Sequence, residues 1–587
     1  MTSLVRGVRW ITAGLLYAVG APIALFLLAL YLGAALVIGL LLSLVFVMVL
    51  AGFVGSISNP VQWLVAIPTV AACVIVGGWM WSEKLGVRAL FRRGAGDTHG
   101  SARLASKREV AALASVGDAG LLIGRDPKTG KLLGYDGPAH LLTLAPTRAG
   151  KGVGTVIPNL LMGYRSMLVI DPKGENVRVA GQMRADYGPT HVLDPFGVSG
   201  MGNASYNPLE RMTEGGLDLG EDASSLAAAL VMDPPGQAGE AHWNEEARAL
   251  IAGLILFCVV HENAERRTLG TVREYLTLPP ERFQELLGLM QESSGANGLV
   301  ARAANRFLGK ADREAAGVLS GAQRHTHFLD SPRIAQSLAT SDFRFADLRR
   351  ELTTVFLVLP PNRMDAYSRW LRLLVSEALQ DIARDAEATS RPYSAQEAAG
   401  APESPEEPPE APSPSPALSA ALAGPGDRSR LWTPTLFLLD EFAALGRLEA
   451  VERAMGLMAG YGLQLWPILQ DLSQLRDLYG TRANTFVANA GVLQVFGVND
   501  VETARWLSQA LGKQTIGYET STHRPGDMPS TAEHVTGREL LTPDEIMQLP
   551  QSLQLLRLQG RPPVLAKKLR YYADPEFRDL FLPEAAR

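Results

Sequence analysis

Two short segments of the chain place a lysine and a pair of carboxylates at the ends of apolar runs. The first, 145–155, reads APTRAGKGVGT and follows the apolar run HLLTL. In a small-residue loop that opens a helix, backbone N–H groups cradle phosphate oxygens while a lysine reaches the β and γ oxygens. The segment therefore predicts a nucleotide-binding loop, made of Pro146, Thr147, Arg148, Ala149, Gly150, Lys151, Gly152 and Val153.

The loop departs from the usual phosphate-loop pattern at two positions. Ala145 stands where the first glycine is expected, and Gly152 lacks the hydroxyl that normally ligates Mg²⁺. The nearest hydroxyls belong to Thr147 and Thr155, and either is a candidate ligand. Taken alone, the segment also fits a chance glycine-rich turn.

The second segment is the run TLFLL, which ends at Asp440 and Glu441. Two carboxylates at one strand tip can divide the chemistry. Asp440 would hold Mg²⁺, directly or through water, and Glu441 would act as the general base on the attacking water. An ordinary solvated strand end is the alternative. Together with the lysine loop, however, the pair predicts ATP hydrolysis with Mg²⁺ as cofactor.

Four further polar residues follow or adjoin these predicted strands. Gln470 ends the run QLWPIL, where its amide would sense the γ-phosphate or position water, or else cap the next helix. Asp171 ends the run SMLVI, and ligands of open α/β sheets lie at such strand ends. Arg447 and Arg453, just beyond the carboxylate pair, are candidates to act on a neighbouring subunit's nucleotide, or ordinary helix-surface charges.

These residues need an α/β fold with a mainly parallel sheet to position them. Short apolar strands alternate with helical stretches over 83–221 and 345–587, as a nucleotide-binding domain of this class requires. Residues 222–344 show helical periodicity only and predict an inserted all-alpha domain. Residues 386–430, rich in Pro, Ser, Glu and Ala, predict a disordered surface insertion.

The other candidate ligands give weaker patterns. His325 and His327 have no further ligand-type neighbours at metal spacing, so we interpret them as surface or capping residues. Cys73 and Cys258 are too few and too far apart to frame a disulfide scaffold. A net charge of −5 gives no global basic signature, so any nucleic-acid contact must come from a local patch.

The N-terminal residues 1–82 predict a membrane anchor. No Asp, Glu, Lys, Arg or His occurs over 10–82, and one crossing needs only about 20 apolar residues. Two or three spans fit, near 11–31, 34–54 and 61–81. Positive charges flank both ends of the region, and the larger number adjoins the C-terminal body. By the positive-inside rule that body is cytoplasmic.

The assembled motifs resemble the type IV coupling protein family of conjugation and type IV secretion systems, to which the TraG-type proteins belong. They are HGSARLA at 99–105, PTRAGKGVG at 146–154, IPNLL at 157–161, DPKGE at 171–175, LDEFAALG at 439–446, MAGYG at 458–462 and QDLSQL at 470–475.

The resemblance implies a RecA-like motor related to hexameric DNA translocases, with an N-terminal membrane anchor and an inserted all-alpha domain. It also implies that a glycine at position 152 is usual. A homo-hexamer in the bacterial inner membrane would use ATP to deliver a relaxosome, with its relaxase and DNA, or effector proteins to the secretion channel.

Two other functions fit the sequence. In the first, nucleotide controls assembly only, and the protein is a docking receptor without motor activity; the missing hydroxyl at Gly152 favours it slightly. The second is an FtsK-like DNA translocase, which would carry a DNA-reading winged-helix domain after the motor, where this chain has few residues left. The sequence does not separate DNA from effector protein as cargo.

Overall fold

A computed structural model describes residues 98–114, 120–232, 241–390, 433–522 and 530–581. Within these ranges none of the helices combines the length and the hydrophobicity that a transmembrane span requires. The predicted membrane anchor, residues 1–82, lies outside them, as does most of the predicted 386–430 insertion.

Thirteen strands are found in the described part of the chain. They are β1 Leu121–Arg125, β2 Leu132–Tyr135, β3 His140–Leu144, β4 Met167–Ile170, β5 Thr190–Leu193, β6 Thr354–Leu357, β7 Thr435–Leu439, β8 Leu463–Leu469, β9 Ala490–Val495, β10 Lys513–Thr522, β11 Ser530–Glu539, β12 Leu553–Leu558 and β13 Val564–Lys567.

Eleven of these strands form one sheet, in the order β2-β1-β13-β12-β9-β3-β8-β7-β4-β6-β5. From β9 to β5 every neighbouring pair is parallel. From β9 to β2 every pair is antiparallel. The predicted α/β class with a mainly parallel sheet is therefore confirmed, and an antiparallel extension of four strands adjoins it. Strands β10 and β11 form a separate two-stranded ribbon.

Burial explains why the parallel strands read as unbroken apolar runs. All residues of β3, β4, β6, β7, β8 and β9 are buried. Helices cover both faces of a parallel sheet, so neither face of these strands alternates with polar residues. The two faces carry separate apolar clusters, with Leu142 and Leu439 in one and Leu141 and Leu438 in the other.

The helices of the described residues are numbered in chain order. They are α1 Lys107–Ala111, α2 Ile157–Met162, α3 Glu175–Tyr187, α4 Leu219–Leu230, α5 Ala241–His261, α6 Leu269–Leu276, α7 Pro280–Glu292, α8 Leu299–Leu308, α9 Asp312–Thr326, α10 Pro332–Ser337, α11 Pro361–Ser390, α12 Glu449–Leu457, α13 Leu472–Tyr479, α14 Ala483–Asn489, α15 Val501–Leu511 and α16 Pro543–Met547.

Helices α4 to α10 lie between β5 and β6, where the described residues contain no strand. This is the region in which the sequence shows helical periodicity only. Helix α11 then runs from β6 through Ser390, so it continues over the first five residues of the predicted 386–430 insertion.

A cluster of buried ion pairs joins the chain before α4 to helix α11. Arg211 contacts Asp222, Glu377 and Asp381 at 2.9–3.1 Å. Burial raises the pKa of the Glu377 carboxyl to about 7, although the neighbouring Arg211 acts in the opposite direction. Removing one partner from such a cluster leaves an uncompensated buried charge, so the cluster fixes the position of α11 against the helical region.

The three weaker candidates within the described residues have different outcomes. The interpretation of His325 as a surface or capping residue is wrong, because its ring is 3% exposed and its Nε2 lies 3.0 Å from Asn244 Oδ1. Its place on the inner face of α9, where a helix of period 3.6 meets α5, accounts for the burial. His327, two residues further, is exposed. Cys258 is buried, and burial raises the pKa of its thiol to about 12.

Candidate nucleotide-binding site

The residues predicted to handle phosphate lie at one edge of the sheet. Strands β3, β4, β7 and β8 are mutually parallel neighbours, so their carboxyl ends share this edge. The lysine loop follows β3, Asp171 follows β4, Asp440 follows β7 and Gln470 follows β8. Open α/β sheets bind ligands at this edge.

Lys151 contacts both predicted catalytic carboxylates. Its Nζ lies 3.0 Å from Asp440 Oδ1 and forms a hydrogen bond with Glu441 Oε1. Burial alone would lower the pKa of Lys151, but the two carboxylates outweigh burial and hold that pKa above its ordinary value. The ammonium is therefore charged at neutral pH, as binding of phosphate oxygens requires.

The loop before Lys151 has an unusual backbone. Arg148 has φ +64° and Gly150 has φ +91°, so residues on both sides of Ala149 occupy the left-handed region. Successive peptide N–H groups in such a conformation form a concave anion-binding nest. A π-helical turn, Gly152–Val156, follows and leads into α2. A Cβ added at Gly150 or Gly152 would meet no atom within 4 Å, so this face of the loop is open to a ligand.

The carboxylate pair also sits on strained backbone. Glu441 has φ +51°, which is uncommon for a residue other than glycine, and such strain is concentrated at functional sites. The N–H of Glu441 donates to Asp440 Oδ1 at 2.9 Å. Burial raises the pKa of Asp440, and the Lys151 ammonium offsets part of that rise. A divalent cation beside Asp440 would stabilise the ionised carboxylate in the same way.

Asp171 is buried beside this pair. The N–H of Val177 donates to its Oδ2 at 2.9 Å, which ties the carboxylate to the first turn of α3. Burial raises the pKa of Asp171 to about 6, and the nearby Asp440 adds to the rise. Asp171 therefore lies where the sequence places it, with its carboxylate already bonded to the backbone.

Gln470 meets the loop through Thr147. The Thr147 hydroxyl donates to Gln470 Oε1 at 3.3 Å. The alternative role of Gln470 as a helix cap is wrong, because Asp471 caps α13 by accepting from Gln474 N at 2.9 Å. The amide of Gln470 is therefore available at the site edge.

The two candidate Mg²⁺ hydroxyls have different surroundings. Thr155 is fully buried, and its hydroxyl donates to Gln494 Oε1 at 3.1 Å. Gln494, on β9, also accepts from Thr143 on β3 and donates to Gln554 on β12, each at 2.8 Å. Thr155 thus belongs to a polar network under the loop, whereas Thr147 is exposed above it.

Arg447 does not point at this cluster. Its guanidinium lies 3.7 Å from a Glu449 carboxylate oxygen and 3.8 Å from one of Glu452. Both partners belong to α12. The contacts within this chain are those of an ion-paired side chain at a helix start.

Two residues at the site escaped sequence reasoning. Lys568 Nζ donates to the carbonyl of Ala149 at 3.2 Å, and it lies 4.8 Å from the ring centre of Phe496. Lys568 follows β13 and Phe496 follows β9. No local motif marks either residue, because their approach to the loop depends on the order of strands far apart in the chain.

The residues present fit a triphosphate with a divalent cation. The nest and Lys151 supply donors and positive charge, and Asp440 and Glu441 supply oxygen ligands within reach of the same lysine. Mg²⁺ accepts this kind of site, since it keeps several waters and takes one or two carboxylates.

Comparisons with known proteins agree with this geometry. The family model "Type IV secretory system Conjugative DNA transfer" matches residues 100–395 and 419–586. The conjugal transfer protein TraG of Escherichia coli is 29% identical, over 82% of this chain and 78% of that protein. The protein VirD4 of Agrobacterium fabrum is 28% identical, over 76% of this chain and 62% of its own length.

Solved structures share the fold. The conjugative coupling protein TrwB, in its unbound monoclinic form, has a TM-score of 0.56 at 17% identity, over 82% of this chain and 96% of that one. TrwB in complex with ADP and Mg²⁺ has a TM-score of 0.55 at 18% identity, over 80% and 94%. The fold is thus shared with the coupling protein TrwB. The chain belongs to the type IV secretory family of conjugative DNA transfer proteins.

Proposed function

We propose that this protein is a Mg²⁺-dependent ATPase that serves as the coupling protein of a type IV secretion or conjugation system. The observation that carries the proposal is the contact of Lys151, from the loop after β3, with the Asp440 and Glu441 carboxylates after β7. The lysine ammonium that would bind phosphate and the carboxylate that would act as general base therefore lie at the same edge of the sheet. TrwB, which shares the fold, has been solved with ADP and Mg²⁺ and with an ATP analogue.

Each residue of the site has a proposed task. The loop 146–153 binds the phosphates through the backbone N–H groups of the residues that follow Pro146, and Lys151 contacts the β and γ oxygens. Asp440 holds Mg²⁺ through water, and Glu441 orients and deprotonates the attacking water. Mg²⁺, when bound, supplies charge neutralisation at the phosphate oxygens. Gln470 connects the site to the phosphate-binding loop through its hydrogen bond with Thr147. Asp171 lies near Asp440 and supports its position.

The organisation of the whole chain is also proposed. Residues 1–82 anchor the protein in the bacterial inner membrane with two or three helices, and the C-terminal body is cytoplasmic. Residues 83–221 and 345–587 form a RecA-like motor, 222–344 form the all-alpha domain, and 386–430 a disordered insertion. The motor assembles as a homo-hexamer. Arg447 is a candidate for action on a neighbouring nucleotide, for which its pairs with Glu449 and Glu452 would have to open.

The proposed cargo is DNA with its attached relaxase, delivered to the secretion channel. The names of the TraG relatives and the family description, conjugative DNA transfer, support this choice over effector proteins.

ATP hydrolysis by the purified full-length chain in detergent tests the proposal. We expect Mg²⁺-dependent turnover that single-stranded DNA stimulates, and that Lys151→Ala or Glu441→Gln abolishes. The surface substitution Glu285→Ala, on α7 at a side chain 63% exposed, is the control and should leave turnover unchanged. Absence of turnover with and without DNA, in a chain that is folded, would reject the ATPase.

A docking receptor without motor activity is the second candidate. One observation favours it: Gly152 carries no hydroxyl, and Thr155 is committed to Gln494 beneath the loop. The receptor predicts that ATP binds and changes the assembly state but is not hydrolysed. The same assay, with sedimentation in ATP and in ADP, separates the two candidates.

A further inference from the structure

Lys568 touches the phosphate-binding loop from the antiparallel half of the sheet. The side chain is half-buried, and its ammonium donates to the Ala149 carbonyl at 3.2 Å. The Phe496 ring lies 4.8 Å from the ammonium and forms a cation–π contact with it. Among the described residues no carboxylate lies within ion-pair distance of Lys568. Its polar contact is therefore with the loop itself.

The contact fixes the orientation of one peptide unit. In a planar trans peptide the C=O and the following N–H point in opposite directions. Because Lys568 holds the Ala149 carbonyl on one side, the N–H of Gly150 faces the other. Gly150 is in the left-handed region and open to ligand on its Cβ side. An inward N–H at this position belongs to the nest that would bind phosphate.

The turn after Lys151 is held by the same two segments of chain. A Cβ added at Gly154 would come within 2.9 Å of the Leu569 carbonyl oxygen and 3.2 Å of the Phe496 ring. The segment around Lys568 and the residue after β9 therefore contact the loop both before and after its lysine. Lys568 supplies the polar half of this support.

We propose that Lys568 is a positioning residue of the phosphate-binding loop: through the Ala149 carbonyl it aims the Gly150 N–H at the nucleotide. The inference rests on the proposed function, in which this loop binds ATP. It assigns a second lysine to the site, one that acts through the backbone rather than by touching phosphate.

The charge of Lys568 gives a separate readout. Burial and, to a smaller extent, the nearby Arg570 lower the pKa of Lys568 to about 8. The groups that face the ammonium are the Ala149 carbonyl, the Phe496 ring and Arg570. Below pH 8 the hydrogen bond is charge-assisted, and as the pH rises through 8 it becomes a neutral and weaker bond. An arginine at this position would stay charged throughout.

The test uses the full-length chain in detergent, as wild type and as Lys568→Met, Lys568→Arg and Lys567→Met. The probe is a fluorescent non-hydrolysable ATP analogue with Mg²⁺. We expect Lys568→Met to raise the dissociation constant about tenfold, the loss of one charge-assisted hydrogen bond. Lys568→Arg should restore most of the affinity. Lys567→Met, at the adjacent exposed lysine, should bind like wild type.

A pH series from 7 to 9, measured on folded wild type and folded Lys568→Arg, gives a second test. Wild-type affinity should fall through pH 8 relative to that of Lys568→Arg. Equal affinity of Lys568→Met and Lys567→Met, or parallel pH curves of wild type and Lys568→Arg, would overturn the inference. These results would leave the proposed function standing. Failure of the wild type to bind the analogue, with no effect of Lys151→Ala, would overturn the proposed function instead.

Discussion

The two halves of the large sheet treat the site differently. The parallel half, β9 to β5, sends every strand end to the same edge and so brings Lys151, Asp171, Asp440 and Gln470 together. The antiparallel half sends only alternate strands there, and of these β13 delivers Lys568 to the back of the loop. In the proposed site, the parallel half thus carries the chemistry, and the antiparallel half supports the backbone that presents it.

Substitution of the proposed catalytic residues in the parallel half of the sheet should have the largest effect. Glu441→Gln should reduce ATP turnover at least about 100-fold, because it removes the proposed base, while binding of the ATP analogue is retained. Lys151→Ala should lose both, because the phosphate-binding charge is gone. A binding titration beside the turnover assay measures the difference. Retention of turnover in Glu441→Gln would show that the base lies elsewhere.

Gln494 tests whether the two halves are joined beneath the loop. Its side chain bonds Thr143 on β3, Thr155 after the loop and Gln554 on β12. Gln494→Leu removes one hydrogen-bond partner from each of these buried side chains and should lower the free energy of unfolding by about 3 kcal/mol. Urea unfolding of the detergent-solubilised chain measures it. A loss below 1 kcal/mol (roughly the cost of one net hydrogen bond) would contradict the network's role.

The glycines around Lys151 form a matched pair. Gly154→Ala places a methyl group against the Leu569 carbonyl and the Phe496 ring, whereas Gly152→Ala meets nothing within 4 Å. We expect Gly154→Ala to cost about 2 kcal/mol of stability by overpacking and Gly152→Ala to leave stability within about 0.5 kcal/mol. Thermal unfolding without nucleotide compares them. Equal effects of both substitutions would mean that the antiparallel half does not constrain the turn.

Asp171 gives the smallest expected effect, and its sign is set by burial. Its folded pKa is about 6, against an unfolded value near 3.8. Between these values the folded state binds more protons, so stability falls as pH rises through this window. Asp171→Asn cannot ionise. Its stability relative to wild type should therefore improve between pH 4 and pH 7, by on the order of 1 kcal/mol. If the stability difference between Asp171→Asn and wild type did not change across that range, the raised pKa of Asp171 would be rejected.

The parallel half of the sheet could be predicted from the sequence because its candidate residues follow continuous apolar runs. A fully buried parallel strand followed at once by a polar residue is a local pattern that β4, β7 and β8 show, and β3 is followed by the small-residue loop that contains Lys151. The supporting half could not be predicted in this way. The approach of Lys568 to Ala149 depends on pairing between β13, β12 and β9, which no local pattern specifies.

The burial of individual polar side chains also could not be predicted from local sequence patterns. Thr155 and Thr147 are both hydroxyls near Lys151, yet one lies under the loop with Gln494 and the other above it with Gln470. His325 is similar, since its burial against Asn244 depends on the packing of α9 on α5. In each case a contact with a distant segment of the chain determines which face of the helix or loop is buried.

Helix α11 connects the helical region to the turn that follows Glu441. Near its middle Arg372 donates to the carbonyls of Leu445 and Arg447, in the turn that follows Glu441. Further along, Glu377 and Asp381 are locked to Arg211. Because an α-helix is stiff, a displacement of its ion-paired part would be transmitted through the Arg372 hydrogen bonds to the turn behind Glu441, the proposed general base. The position of the helical region and that of Glu441 are therefore coupled through noncovalent contacts at two points of one helix.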